Sequence, residues 1–368
     1  MFNSLQLQLF QFVQEKCVET SMPVYVVGGM VRDIFLGKDP VDKDIDFIVE
    51  GDAARFAEIC QKQTGGKLIK YDDFYTAKIL SPSAFIGINE IDFASAREEV
   101  YASPGKLPVV RKSTIREDLK RRDFSINAMA LSLTVLLTHC EEGCGDLEKL
   151  YAEALDFFDG YKDLKAKKIR VLHDKSFTDD PTRIFRAFRY AARISGDLEK
   201  GTEELLRLAV AEDCFATVSK QRILNELRKI LEEANFQIAF ELLKSNGILR
   251  KLFIYAEDSH EQVMNLLCSL RKKQLRQDDL YFAVAVRIFF YCSSIFQSPT
   301  FVGQKFAELG FGSREIKKIT FETRTDLDLS TERTIRRLSI AGAIFQELVN
   351  QGDSLLLLQD YTKKIVSS

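Results

Sequence analysis

Hydrophobic positions follow two different periods along the first third of the chain. Short runs rich in β-branched and aromatic residues, bounded by turn or charged residues, are typical of strands. Such runs are VYVV at 24–27, IDFIV at 45–49, and KLIKY, TAKILS and EIDFAS between 67 and 95. Apolar residues recur at helical spacing within 5–18, 30–36 and 53–63. This mixture predicts one α/β domain over about residues 1–135, built on a mixed sheet.

The hydrophobic pattern changes beyond about residue 145, where strand patterns become rare and a period of 3.6 residues recurs. It predicts helices at 184–194, 202–211, 221–233 and 236–243. The remainder of the chain is therefore expected to be almost all helical. A sheet domain followed by a helical part makes the fold class α+β.

Composition and charge exclude few functions. The 368 residues are 46% hydrophobic and 29% charged, with a formal net charge of -2, as in an ordinary soluble protein. RNA binding is not excluded, because phosphates meet a local basic surface and not the charge of the whole chain. No apolar run approaches the ~20 residues that span a bilayer. The N-terminus lacks the pattern of a signal peptide, so no membrane association is expected.

Cysteine spacing bears on metal binding and on the compartment. Of seven cysteines, only Cys140 and Cys144 lie close together in the sequence. No second pair or nearby histidine completes a zinc set, so no zinc is expected. An odd number of scattered cysteines is typical of reduced thiols. The expected location is therefore the cytoplasm.

Two aspartates flank Ile45 at the start of the second predicted strand. Because side chains alternate between the faces of a strand, Asp44 and Asp46 point the same way while Ile45 faces the core. Two like charges on one face favour a cation between them, and Mg²⁺ with nucleotide phosphates is the usual occupant. A third acid, Asp92, lies in the alternating run at 91–93. If its strand pairs beside the first, three catalytic carboxylates converge in a two-metal arrangement.

A glycine pair closes the first predicted strand. Gly28 and Gly29 let backbone N–H groups approach phosphate oxygens closely, and Arg32 follows one turn later. A plain turn and a solvated strand edge would explain the glycines and the aspartates separately. Their combination on consecutive strands favours a nucleotide site. The segment 26–49 resembles the catalytic signature of the DNA polymerase β-like nucleotidyltransferase superfamily.

The string RRDFSINAMAL at 121–131 combines charged, amide and apolar side chains. Arg121 and Arg122 can bind a triphosphate. Asp123 can accept from a ribose hydroxyl, and Asn127 offers both a donor and an acceptor. The alternative is that the arginines are merely solvated beside core residues. The string resembles the second motif of the class II tRNA nucleotidyltransferases and their bacterial poly(A) polymerase relatives.

The string FTDDPTRIFRAFRYAARI at 177–194 predicts a helix that begins near Asp180 and Pro181. Three arginines at a spacing of three residues are candidate nucleotide ligands: Arg183, Arg186 and Arg189. They could instead form a solvated stripe, with Asp180 serving only as a cap. Asp180 and Arg183, side by side at i and i+3, could also select cytosine and adenine and refuse uracil and guanine. The string resembles the amino-acid template of class II enzymes, with Asp179 where glutamate is usual.

The resemblance implies a division of the chain into a head, a neck, and a body with a tail. These are the nucleotidyltransferase head at 1–140, the helical neck with the nucleotide-selecting motif at 141–240, and the helical body and tail at 241–368. It also implies that Asp44 and Asp46 bind two Mg²⁺ ions and that ATP and CTP are the substrates. Basic residues of the helical part, such as Arg271 and Lys272, would grip the acceptor and T arms of tRNA.

The activity implied is template-independent addition of CMP and AMP to the 3′ end of tRNA. Addition of A alone to tRNA ending in CC is the alternative. The chain keeps the loop at 103–108, the region in which enzymes that add only CC are shortened. It lacks the arginine-rich stretch after the aspartate strand that is usual in poly(A) polymerases. A small-molecule nucleotidyltransferase would share only the first motif. The sequence does not indicate an oligomeric state.

Overall fold

The computed structural model describes residues 2–38, 44–100, 109–141, 146–252 and 264. The chain divides into two compact units, residues 1–217 and 218–368. No helix among the described residues is long and apolar enough to cross a membrane.

The first unit contains ten helices and eleven strands among its described residues. The helices are α1 (Ser4–Thr20), α2 (Gly29–Phe35), α3 (Ala53–Thr64), α4 (Ile115–Lys120), α5 (Leu133–Glu141), α6 (Leu147–Ala152), α7 (Gly160–Lys165), α8 (Ser176–Asp179), α9 (Thr182–Ile194) and α10 (Lys200–Ala211). The strands are β1 (Val24–Val27), β2 (Asp44–Val49), β3 (Lys67–Tyr71), β4 (Thr76–Leu80), β5 (Glu90–Ser95), β6 (Arg97–Val100), β7 (Val109–Lys112), β8 (Met129–Ser132), β9 (Leu155–Asp156), β10 (Lys168–Ile169) and β11 (Asp197–Leu198).

Seven of these strands form one sheet in the order β3-β4-β5-β2-β1-β8-β9. The pair β2 and β5 is parallel, and the other neighbours in the sheet are antiparallel. The prediction of a mixed sheet, and with it the α+β class, is confirmed. The edge strand β9 lies beyond the predicted end of the sheet domain, because a strand of two residues carries no readable period.

One face of the sheet is covered by helices α1 and α3. Phe47 of β2 stacks on Phe93 of β5 with ring centroids 5.4 Å apart, and Phe10 of α1 contacts Phe47 edge-on. Phe56 of α3 completes the cluster at 5.3 Å from Phe93. Because side chains alternate along each strand, this packing turns Asp46 towards the opposite face.

The opposite face carries a second apolar cluster, which positions the string 121–131. Ile115 and Leu119 of α4 pack against Val27, Ile48 and other buried residues of the sheet. Helix α4 ends at Lys120, and a 3-10 turn over Ser125–Asn127 leads into β8. The chain between these elements is therefore anchored beside the end of β1, where the glycine pair lies.

The second unit is helical among its described residues. Its elements are α11 (Lys220–Glu232), α12 (Phe236–Ser245) and α13 (Ile248–Leu252). The side chains of Ile230, Phe236, Leu243 and Ile248 are fully buried. The predicted helices at 221–233 and 236–243 are thus confirmed to within two residues.

Candidate active site

Acidic residues lie side by side on the central strands β2 and β5, on the sheet face opposite the aromatic cluster. The parallel register of β2 and β5 pairs Asp46 with Asp92 and Asp44 with Glu90. Lys78 of β4 stands opposite Asp92. Its ammonium nitrogen lies 2.8 Å from Asp92 Oδ2 and also forms an ion pair with Glu90. The expectation that the strand of Asp92 lies beside that of Asp44 is confirmed.

The pKa of Asp92 shows how crowded this surface is. Burial raises the pKa of Asp92 to about 7, and the charge of Asp46 and the contact with Glu90 act in the same direction. Lys78 opposes this rise but does not cancel it. Carboxylates held in this way gain from a bound cation, and hard oxygen ligands suit Mg²⁺. These side chains offer the oxygen ligands that the expected ion prefers, and its binding stays a prediction. No group of three side chains that could hold a metal ion is found among the described residues. The Asp44 side chain lies outside that description.

The glycine pair after β1 is placed as the sequence predicted. Gly28 has φ +67, and a Cβ built there would come within 2.9 Å of the Arg122 guanidinium. The backbone therefore requires glycine here, because other residues rarely adopt this φ. Its own N–H donates to the carbonyl of Met129 at 3.3 Å. A phosphate contact would accordingly fall to the N–H groups that follow Gly28 in the chain.

Arg32 is almost completely buried, with 1% of its surface exposed. Its guanidinium donates to Asp33 at 2.9 Å and to Asn127 Oδ1 at 2.9 Å, and it lies over the Tyr190 ring. The side chain thus joins α2, the 3-10 turn and α9. Three of the predicted motifs meet at this residue.

Asp118 of α4 is fully buried and binds both arginines of the second motif. Arg121 Nη2 donates to Asp118 Oδ1 at 2.6 Å, and Arg122 Nη2 donates to Asp118 Oδ2 at 3.0 Å. Arg121 also donates to Glu99 and to the carbonyl of Arg97 on β6. These contacts fix Arg121 within the protein, and its predicted contact with a triphosphate stays a prediction.

Asp123 is buried and surrounded by donors. Its Oδ1 accepts from the Phe124 N–H at 2.9 Å and from Asn127 Nδ2 at 3.2 Å. Its Oδ2 pairs with Arg186 at 2.6 Å. Burial raises the pKa of Asp123, but the charge of Arg186 and these hydrogen bonds outweigh it, so the net shift is downward. Asp123 is therefore held as a carboxylate.

The start of α9 combines a capping contact with a buried arginine. Asp180 Oδ1 accepts from the Thr182 N–H at 3.1 Å and from the Thr182 hydroxyl at 2.7 Å. Asp180 thus caps the start of the helix. Capping was the alternative that the sequence left open for this residue. Arg183 is 4% exposed and donates to Ser176 Oγ at 2.9 Å and to the Arg121 carbonyl at 3.1 Å. A solvated stripe does not describe this arginine.

The two later arginines of α9 differ from Arg183. Arg186 is about one-third exposed where it pairs with Asp123. Arg189 donates to the Tyr190 hydroxyl at 3.2 Å and lies over the Tyr190 ring. The structure therefore brings Arg183 and Arg186 next to the second motif, whereas the described contacts of Arg189 go to Tyr190.

The family models match both units of the chain. Residues 24–170 match "Poly A polymerase head domain", and residues 198–258 match "Probable RNA and SrmB- binding site of polymerase A". The A-adding tRNA nucleotidyltransferase of Aquifex aeolicus is 39% identical over 248 residues, covering 67% of this chain and 28% of that protein. A solved complex of a CCA-adding enzyme with ATP has a TM-score of 0.70 at 31% identity, covering 99% of this chain and 82% of that one.

This chain belongs to the tRNA nucleotidyltransferase and poly(A) polymerase family. A Thermotoga maritima CCA-adding enzyme complexed with tRNA also matches, with a TM-score of 0.67 and 31% identity, covering 95% of this chain and 73% of that one. The resemblance expected from the sequence is thereby confirmed. The matched part amounts to 28%, 24% and 54% of three A-adding relatives, so the chain spans less than two thirds of each.

Several residues of the candidate site were not predicted from the sequence. Glu90 could have been found, because the run Glu-Ile-Asp at 90–92 repeats the alternation of Asp-Ile-Asp at 44–46. Lys78, Asp118 and Tyr190 gave no such signal. Their roles depend on strand register and helix packing, which no local pattern encodes.

Proposed function

We propose that this protein adds CMP and AMP from CTP and ATP to the 3′ end of tRNA without a nucleic-acid template. The observation that carries the proposal is the register of β2 and β5, which sets Asp46 beside Asp92. The Gly28 turn, with Arg122 against it, lies at the end of the adjacent strand β1. Acids for a cation and glycines with arginines for phosphates are the parts that nucleotidyl transfer requires.

Magnesium is the ion that this acidic surface fits. Two Mg²⁺ ions held by Asp44 and Asp46 would supply charge stabilisation at the reacting phosphate. In the proposed reaction the tRNA 3′-hydroxyl attacks the α-phosphate, the new phosphodiester bond forms, and pyrophosphate leaves. Asp92 completes the acidic surface beside Asp46.

The residues of the second motif position the nucleotide in this proposal. Arg122 reaches the Gly28 turn and would meet phosphate oxygens there. Asp123 and Asn127 are already oriented by mutual hydrogen bonding and by Arg32 and Arg186. Fixed donors and acceptors of this kind need no rearrangement when the ribose and triphosphate bind. Arg121 would contribute mainly by holding the chain in place.

Base selection is assigned to Asp180 and Arg183. Asp180 lies just before α9 and Arg183 lies in its first turn, and the Arg183 guanidinium donates to the carbonyl of Arg121 in the second motif. Cytosine and adenine both present an exocyclic amine beside an unprotonated ring nitrogen, which suits a carboxylate next to a guanidinium. Uracil and guanine present the opposite pattern and would be refused.

Recognition of tRNA is proposed for the helical part of the chain. The support is the match of residues 198–258 to an RNA-binding family model and the tRNA complex of the Thermotoga enzyme. Arg271 and Lys272, named from the sequence, lie outside the described residues. Shape and backbone contacts would dominate, because an enzyme that serves all tRNAs cannot depend on base sequence. The cytoplasmic location stays a prediction.

Addition of A alone is the second candidate, and the names of the relatives favour it. Three relatives at 39%, 40% and 35% identity are A-adding enzymes. The deciding experiment supplies tRNA lacking CCA, ending in C, or ending in CC, with each labelled nucleotide separately. Complete CCA addition predicts CMP incorporation on the first two substrates and AMP on the third. A-only addition predicts AMP on the third substrate and nothing on the others.

The same experiment tests the proposal as a whole. Long A tails on all three tRNAs would indicate a poly(A) polymerase. Incorporation of CMP without AMP would indicate a CC-adding enzyme. No incorporation on any of the three tRNAs would contradict the proposed function.

A further inference from the structure

Three neutral groups hold the buried guanidinium of Arg183. Nη1 donates to Ser176 Oγ at 2.9 Å and lies 3.3 Å from His173 Nε2. Nη2 donates to the carbonyl oxygen of Arg121 at 3.1 Å. Ser176 opens the short helix α8 and is itself fully buried, and His173 precedes it in the chain. These contacts orient the arginine without neutralising its charge.

The contact with His173 fixes the protonation state of that ring. A guanidinium has five N–H donors and no acceptor, so the histidine nitrogen facing it must be unprotonated. The neutral ring then carries its proton on Nδ1, which lies 4.0 Å from Asp179 Oδ2. Burial lowers the pKa of His173 and the charge of Arg183 lowers it further, against the opposing effect of Asp179 and Asp174. The geometry and the direction of this shift agree.

We propose that His173 and Ser176 are positioning residues for base selection, which together hold Arg183 Nη1 so that the rest of the guanidinium faces the incoming base. The inference rests on the proposed function, in which Arg183 reads the base. Both N–H groups of Nη1 are used by His173 and Ser176, and one of Nη2 is used by the Arg121 carbonyl. Nε–H and the second N–H of Nη2 are left, and they have no recorded acceptor among the described residues. One of these donors can serve the unprotonated ring nitrogen of cytosine or adenine, while the Asp180 carboxylate accepts from the exocyclic amine.

Protonation of His173 would break this arrangement. Its Nε2 would become a donor facing another donor, with two positive charges within hydrogen-bond distance. The charged groups around the ring are Arg183 of α9, Asp179 of α8, and the neighbours Asp174 and Lys175. Discrimination between bases is therefore expected to fall in acid, with a midpoint below the ordinary histidine pKa of about 6.5.

The test measures the incorporation of CMP and AMP relative to UMP and GMP on tRNA, between about pH 8 and about pH 5.5. His173→Leu removes the acceptor and should lower the ratio about threefold to tenfold at neutral pH, as expected for one lost orienting hydrogen bond. Ser176→Ala should lower it similarly. His173→Gln keeps an acceptor that does not titrate, so its ratio should stay near that of the wild type at neutral pH and should not fall in acid.

Thr178→Ala is the matched control for Ser176→Ala. Thr178 lies in the same short helix, but its hydroxyl donates to the carbonyl of Lys175 and not to Arg183. In Thr178→Ala, the ratio of CMP and AMP to UMP and GMP incorporation, and its dependence on pH, should equal those of the wild type. Thermal melting of each variant separates a folding defect from lost orientation. Wild-type discrimination at every pH in folded His173→Leu would overturn the inference.

A readout independent of activity separates this inference from the proposed function. The chain has three histidines, so ring ¹⁵N signals compared between wild type and His173→Gln identify His173. The inference predicts a neutral ring protonated on Nδ1 at neutral pH, and a ring protonated on Nε2 would contradict it. A protein that adds no nucleotide to tRNA but shows the expected tautomer would disprove the function and leave the positioning contact supported.

Discussion

Asp46 lies on the exposed face of β2, directly beside Asp92 of β5. The carboxylate faces away from the core cluster of Phe47 and Phe93, so the packing does not depend on it, whereas the proposed reaction does. Asp46→Asn should lower nucleotide addition at least about a hundredfold, because electrostatic stabilisation by a metal contributes several kcal/mol. The measurement is the initial rate of label transfer to tRNA at saturating nucleotide.

The control for this change is Asp73→Asn, an exposed aspartate of the same unit. It should leave both the rate and the melting temperature unchanged. Asp46→Asn should also melt like the wild type, because no core contact is lost. Substantial activity in folded Asp46→Asn would show that the carboxylate is not part of the metal site.

Asp118 serves stability, as its burial between two arginines shows. The side chain is completely buried and bonds Arg121 and Arg122 on separate oxygens. Asp118→Ala should lower the free energy of unfolding by about 3–5 kcal/mol, because both guanidinium groups lose a buried counter-charge. Chemical denaturation at neutral pH measures this. A loss below about 1 kcal/mol, typical of an exposed pair, would contradict the role.

The same residue predicts an acid dependence of stability. Burial raises the pKa of Asp118, but Arg122 and Arg121 outweigh it, and the net shift is downward. A carboxyl with a lowered pKa in the folded state contributes stability above its unfolded pKa of about 3.9, and that contribution is lost as the pH falls through the folded value. The free energy of unfolding at pH 7 exceeds that at pH 3 partly because of this carboxylate. In Asp118→Asn, the difference between the two free energies should therefore be smaller than in the wild type. If the variant and the wild type lose the same free energy of unfolding between pH 7 and pH 3, the stabilising role of the Asp118 carboxylate is contradicted.

Individual residues show where prediction from sequence works. The glycine at 28 and the alternation of Asp44 and Asp46 follow from backbone rules that any strand obeys. Arg183 illustrates the limit, because a spacing of three residues suits both a solvated stripe and a buried ligand. Its partner Ser176 belongs to α8, and its partner His173 lies just before that helix. Only the packing of α8 against α9 brings them together.

At the scale of elements, the strands β1 to β5 and the long helices were predicted to within a few residues. The runs at 24–27, 45–49 and 67–95 all appear in the structure as strands. Their order in the sheet was not predictable, because the parallel pairing of β2 with β5 joins segments separated by a helix and two strands. The strands β6 to β11 were not predicted. Three of them, β9, β10 and β11, have only two residues, which are too few to show a period.

The hairpin of β6 and β7 leads to a prediction about the loop between its strands. Residues 103–108 lie outside the described part of the chain, but β6 is bonded through Glu99 and the Arg97 carbonyl to Arg121. Arg121 in turn accepts a hydrogen bond from Arg183. Shortening 103–108 should impair A addition far more than C addition, because the enzymes of this resemblance that add only CC are shortened in the same region.

The measurement compares AMP transfer to tRNA ending in CC with CMP transfer to tRNA lacking CCA. For an enzyme that adds only A, binding of ATP replaces CMP transfer as the reference and should persist. Equal loss of every activity would assign the loop a structural role. It would also weaken the argument against a CC-adding enzyme.

At the scale of the molecule, a head-domain model and an RNA-binding model match successive parts of one chain. The sequence predicted this order, a sheet domain followed by helices, from the change of period near residue 145. It could not predict that the first compact unit continues to residue 217. That continuity follows from contacts such as Arg32 with Tyr190 and Asp123 with Arg186, which join distant segments.

The most direct test of the central claim compares two labelled forms of ATP on tRNA ending in CC. Nucleotidyl transfer predicts that label from the α-phosphate enters the tRNA as a single residue, and that label from the γ-phosphate leaves as pyrophosphate. Asp46→Asn should abolish the transfer. Label entering from the γ-phosphate, or no label entering from either form, would contradict the claim that this chain transfers nucleotides to tRNA.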